Sequence, residues 1–119
     1  MIKPPPINLK TITTVPPAEI IAIEHFMQGA IYAWAKNFPA KPFAVRDLVG
    51  GENGDWTGTP LFALYEAYIK HGECDEVAQS HAAQDLGWIV KNLLNNDKRT
   101  YVNTKPDDVN HYEWVGSEP

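Results

Sequence analysis

Between Ala82 and Lys105 the apolar period of the chain changes once, and abruptly. Ala82, Leu86, Ile89 and Leu93 lie on one stripe at about 100° per residue, flanked by Ala83, Val90 and Leu94. That is one face of a helix. From Thr100 the pattern alternates instead, with Thr100, Val102 and Thr104 against Tyr101, Asn103 and Lys105, which is a strand. Lys105-Pro106-Asp107-Asp108 has turn chemistry, and the aromatic-rich run His111 to Val115 reads as a returning strand. A helix that feeds directly into a β-hairpin over roughly 99–115 makes the chain α+β, mainly α.

The remaining elements are helical. Pro17 is suited to a first helical position, because its missing N–H has no partner there. Ile20, Ile23, Met27, Ala30, Ile31 and Trp34 then recur at helical spacing until Phe38-Pro39, where proline forces its predecessor out of helical geometry. This is a long first helix. Pro42-Phe43-Ala44-Val45 reads as a short extended piece, and Arg46-Asp47-Leu48-Val49 as one helical turn. The glycine-rich loop 50–58 carries Trp56, which is expected to plug the edge of the core and pin the loop, with stacking on a ligand as the alternative. Thr59 and Pro60 open a helix over roughly 60–71, closed by Lys70, His71 and Gly72. Asp75 caps another helix to about Asn96, with a second cap at Ser80 where the helix could bend. Residues 1–16, with Pro4, Pro5, Pro6 and Pro16, form an extended arm, either packed or loose. Residues 17–119 form one domain.

Charge and composition narrow the function. The 119 residues carry ten Lys or Arg and fifteen Asp or Glu, a net −5, which argues against coating nucleic acid or an anionic membrane by bulk charge. No run reaches the roughly 18–20 apolar residues of a membrane span, and residues 1–10 lack the core of a secretory signal. With Cys74 the single cysteine, no disulfide framework exists, and a cytoplasmic protein is expected. His71, Cys74 and His81 lack a fourth ligand at natural spacing for zinc. Loop 50–58 lacks the Lys-Ser/Thr ending of a phosphate loop, and Cys74 has no base to activate it. The carboxylates Asp47, Glu52 and Asp55 are close in sequence, but nothing in the pattern makes them converge. No enzyme, cofactor or metal is expected, although loop 50–58 could close a small-molecule pocket.

The order of elements across Pro42–Val115 resembles the winged helix-turn-helix superfamily. The resemblance rests on Pro42-Phe43-Ala44-Val45-Arg46-Asp47-Leu48 and on Asp85-Leu86-Gly87-Trp88-Ile89-Val90-Lys91-Asn92-Leu93-Leu94, followed by Lys98-Arg99-Thr100-Tyr101-Val102. It implies a recognition helix at about 79–96, a hairpin wing and double-stranded DNA as partner, in a small regulator of transcription. The chain departs from that pattern in its insertion at 50–58, in its acidic Asp75-Glu76 after Gly72-Glu73-Cys74, and in its net charge.

The net charge is unevenly distributed. Residues 86–105 hold Lys91, Lys98, Arg99 and Lys105 against Asp97, a local +3, while 1–85 and 106–119 each sum to −4. The stripe opposite the apolar face of the last helix holds His81, Gln84, Trp88, Lys91 and Asn95, with Asp85 and Asn92 at its edge. The expected DNA-facing set is therefore His81, Gln84, Trp88, Lys91, Asn92, Lys98, Arg99, Asn103 and Lys105. An alternative is a protein-interaction module of the same fold, touching its partner through Trp88, Tyr101, Tyr112 and Trp114. Ile21, Phe26 and Tyr32, off the main stripe of the first helix, suggest a homodimer through residues 17–37.

Overall fold

The computed structural model describes residues 1–51 and 54–115. Glu52 and Asn53 of the glycine-rich loop, and the chain from Gly116 onward, lie outside the described residues. The elements run β1 (Ile2–Lys3), α1 (Pro17–Asn37), α2 (Val45–Leu48), α3 (Phe62–Lys70), α4 (Asp75–Asn96), β2 (Thr100–Thr104), a short 3-10 turn (Pro106–Asp108) and β3 (His111–Val115). A Cα radius of gyration of 14.2 Å is close to the roughly 13.5 Å expected of a single compact body of this length.

α1 starts with proline as its first residue, and Phe38 leaves helical geometry at φ −129°, ψ 64° before Pro39. Its core face is Ile23, Met27 and Ile31, all fully buried. In α2 the Asp47 carboxylate reaches back to the Ala44 N–H at 2.8 Å, occupying a donor that the helix start leaves open. α3 begins two residues later than the sequence pattern suggests. Thr59 Oγ1 accepts from the Leu61 N–H at 3.2 Å, and this local turn occupies 59–61 before the helix proper. α4 is continuous from Asp75 to Asn96, without a break at Ser80.

The sheet is mixed and three-stranded, in the order β1-β2-β3. β2 and β3 form the expected antiparallel hairpin, with Tyr101 opposite Trp114 and Asn103 opposite Tyr112. Asp107 and Asp108 turn it at positive φ, 51° and 62°, which Asp tolerates better than most residues. β1 adds in parallel on the other side of β2, pairing Ile2 with Tyr101 and Lys3 with Val102. Phe43 ties the α1–α2 connection to the hairpin: its N–H donates to the Tyr112 carbonyl and its carbonyl accepts from the Tyr112 N–H, both at 2.8 Å.

The arm is part of the domain. Ile2, Ile12 and Val15 are buried in the same core as α1 and α4. The chain descends along α4 from its C-terminal end. The Met1 amino group donates to the carbonyls of Leu94 and Asp97 at 2.8 and 2.6 Å, Asn92 Nδ2 donates to the Lys10 carbonyl at 2.8 Å, and Thr14 Oγ1 donates to Asp85 Oδ2 at 2.7 Å.

Candidate nucleic-acid interface

The arm divides the polar face of α4. Asp85 is buried at 5% exposure and accepts hydrogen bonds from Thr14 and from Tyr68 Oη, each at 2.7 Å. Burial, with the neighbouring Asp85 and Glu73 charges, holds the Tyr68 hydroxyl above its ordinary pKa even though Thr14 acts in the opposite direction. Asn92 spends its amide on Lys10 and on the Trp88 carbonyl at 3.0 Å, as a tie for the arm. His81 contacts Glu73 through Nδ1 at 2.7 Å and lies against the Tyr68 ring. Three residues expected to share one solvent face, His81, Asp85 and Asn92, are thus engaged within the protein.

What the arm leaves open is a strip one turn to the side. Gln84 is exposed, while Lys91 and Asn95 are half-buried. Gly87 lies in the middle of the strip with nothing within 4 Å of where a Cβ would stand. Trp88 is half-buried at the boundary, packs against the core and carries the Lys91 ammonium 5.1 Å from its ring centroid. Beyond the helix, Lys98 is exposed, and so is Lys105 in the hairpin. Lys3 and Lys10 of the arm are exposed beside β2 and α4 respectively. Asn103 points its amide at the hairpin itself, donating to the carbonyls of Thr104 and His111, each at 3.1 Å.

Arg99 does not join this set. It is 8% exposed, and its Nη1 donates to both oxygens of Asp97 at 2.7 and 2.9 Å. Its guanidinium lies 4.5 Å from the Tyr32 ring centroid and 5.2 Å from that of Trp114. Tyr101 Oη donates to the same carboxylate at 2.8 Å. Residues 97, 99 and 101 alternate onto one side of the strand and its approach, and Tyr101 faces the core. The local +3 therefore includes one internally neutralised pair, and exposed Lys3 and Lys10 supply the cations that Arg99 does not.

The aromatics expected on a protein-contact surface are mostly interior. Tyr101 and Tyr112 are 0% and 1% exposed. Trp114 is half-buried against Tyr101 and Arg99, and provides no flat exposed patch with Trp88. On α1, Ile21, Phe26 and Tyr32 are exposed at 52%, 38% and 39%. Ile21 and Tyr32 lie within about 20° of each other around the helix, but Phe26 is about 140° from Ile21, so the three flank the core face on opposite sides.

The sequence suggests that loop 50–58 could close a small-molecule pocket, and the structure places a cleft beside that loop, with further walls that the sequence pattern does not indicate. α2, the residues around Trp56, α3 and the first half of α4 line an open cleft of about 670 Å³. Trp56 plugs the core edge as expected, packing against it while half-buried, and it also lines this cleft. Comparison of the chain with protein-family models, with curated proteins and with solved structures finds no match.

Proposed function

We propose that the chain is a small, non-enzymatic DNA-binding protein built as a winged helix. α4 enters the major groove along the strip Gln84–Gly87–Lys91, and the hairpin is the wing. The observation that carries the reading is this polar strip on α4, with exposed Lys98 just after the helix and exposed Lys105 in the hairpin. The Phe43–Tyr112 bridge supports it, since it fastens the extended segment after α1 to the last strand and so fixes the angle between hairpin and helices. Gln84 and Asn95 are side chains able to read base edges, and Gly87 lets the helix backbone approach the groove floor. Lys91, Lys98, Lys105, Lys3 and Lys10 meet phosphates, and the acidic remainder of the molecule orients the contact by repulsion.

The reading includes a second copy paired through α1 at Ile21 and Tyr32, which doubles the phosphate contacts. Ile21→Glu abolishes that pairing in light scattering if the interface is correct.

Fluorescence anisotropy with mixed-sequence duplexes tests DNA binding. About five phosphate contacts give a slope of log K against log salt of about −4.5 per protomer bound, twice that for the pair, and Lys91→Ala or Lys98→Ala should each make it shallower by about 1 per protomer. No binding at about 50 mM salt, or a slope unchanged in both variants, overturns the reading.

A further inference from the structure

The cleft is lined from α4 by Asp75, Gln79, Ala82, Ala83 and Leu86, none of which belongs to the strip proposed to meet DNA. Its volume of about 670 Å³ falls within the roughly 300–1,000 Å³ of small-molecule sites. Val49, Trp56, Phe62 and Leu86 give it an apolar and aromatic wall. The Phe62 and Tyr65 rings are 5.3 Å apart between centroids, tilted by 36°. On the loop side Gly54 passes close to Val49: a Cβ there would stand 2.2 Å from the Val49 carbonyl oxygen. Only glycine permits that approach.

Two carboxylates line this cleft, Asp55 beside Trp56 and Asp75 at the start of α4. Asp55 is exposed and accepts the Thr57 N–H at 2.9 Å, a hydrogen bond that holds its carboxyl below the ordinary range and keeps it charged. Asp75 is the first residue of α4 and accepts from Tyr65 Oη and from Gln79 Nε2, the latter at 2.9 Å. The helix start is the natural place for an anion, and Asp75 already fills it. An incoming ligand therefore meets two carboxylates and π faces against the cation of Arg46. Aromatic faces attract cations through their quadrupole, and carboxylates supply the countercharge.

We propose that this cleft binds a small aromatic cation, an ammonium or amidinium on a flat apolar body. The ring lies between Trp56 and Phe62, and the charged end meets Asp75 and Asp55.

The test follows backbone amide NMR shifts of the whole chain on titration with benzamidinium, benzyl alcohol or benzoate. Benzamidinium should shift Trp56, Gln79 and Ala83 saturably with a Kd of about 1 mM, and benzyl alcohol should bind about tenfold more weakly. Asp75→Asn should weaken benzamidinium by about tenfold, and Asp55→Asn, which keeps an acceptor for Thr57, by about fivefold. The second variant decides the matter if the first disturbs α4. Arg46 also lines the cleft, and benzoate binding as well as benzamidinium would assign the site to anions and overturn the proposal. Equal binding of all three probes, shifts confined to another surface, or no shift at about 10 mM benzamidinium would overturn it too.

Discussion

Arg99 and Asp97 form an ion pair inside the protein, with side chains 9% and 6% exposed and Arg99 Nη1 2.7 Å from Asp97 Oδ1. The guanidinium sits between the rings of Tyr32 and Trp114, so one contact joins α1, the approach to β2, and β3. Lys98, its neighbour, is exposed. Two adjacent basic residues thus have opposite roles: one is architecture and the other is surface charge.

Replacing Arg99 should cost stability and leave the salt dependence of DNA binding unchanged. Arg99→Ala strands the Asp97 carboxylate in a nearly dry site, and removing one member of a buried pair costs on the order of 3 kcal/mol. Lys98→Ala should lie within about 0.5 kcal/mol of the wild type. Urea unfolding checks both. Equal stability of the two variants would show that the pair is exposed in solution.

Asp97 also sets an acid limit. Burial pushes its carboxyl up, but the hydrogen bonds from Tyr101 and Arg99 and the Arg99 charge outweigh burial and hold it below the ordinary Asp value. A folded-state pKa below the unfolded one, about 3.9, gives stability that is present in full above it. That stability is lost as pH falls through the folded value. Urea midpoints measured from about pH 6 down to about pH 3 should therefore drop more steeply for the wild type than for Asp97→Asn. Parallel curves would mean that Asp97 does not contribute.

The helices and the hairpin were legible because each buries one face, and a buried face imposes a period. Ile23, Met27 and Ile31, or Leu86, Ile89 and Val90, announce their own burial. The arm has no such period. Its proline run matches many extended paths, and its path is set by single contacts such as Asn92 to the Lys10 carbonyl. The burial of Arg99 was legible in principle, since it shares the side of the strand that carries Tyr101. It stays hidden because a Lys-Arg pair after a helix ordinarily faces water. Of the cleft only the part played by loop 50–58 was legible, because the other walls come from separate segments whose approach depends on backbone contacts such as Gly54 against Val49.

Phe43 should be among the costliest single truncations. Its ring is 1% exposed, 6.3 Å from Trp34 and 6.0 Å from Tyr112 between centroids, while its backbone bridges Tyr112. Phe43→Ala removes the ring and leaves the bridge, so the loss is a cavity term of about 3–5 kcal/mol. Thermal unfolding measures it. A cost below about 1 kcal/mol would mean that the hairpin packs without this anchor.

The arm can be loosened without touching the rest of the domain. Thr14 and Tyr68 donate to the same oxygen of Asp85, and only Thr14 belongs to the arm. Thr14→Val keeps the shape and deletes one of the two donors, which should cost about 1–2 kcal/mol because Asp85 remains buried. Tyr68→Phe deletes the other donor at a similar cost without freeing the arm. Amide exchange distinguishes them. Thr14→Val should raise exchange in the described arm contacts, above all at the Tyr101 N–H that donates to the Met1 carbonyl at 2.8 Å, while Tyr68→Phe should not. If Lys3 and Lys10 meet phosphate as proposed, the same Thr14→Val protein should bind DNA more weakly, because two of its cations are no longer held in place. An arm that exchanges no faster in Thr14→Val would show that Ile2, Ile12 and Val15 hold it by packing alone.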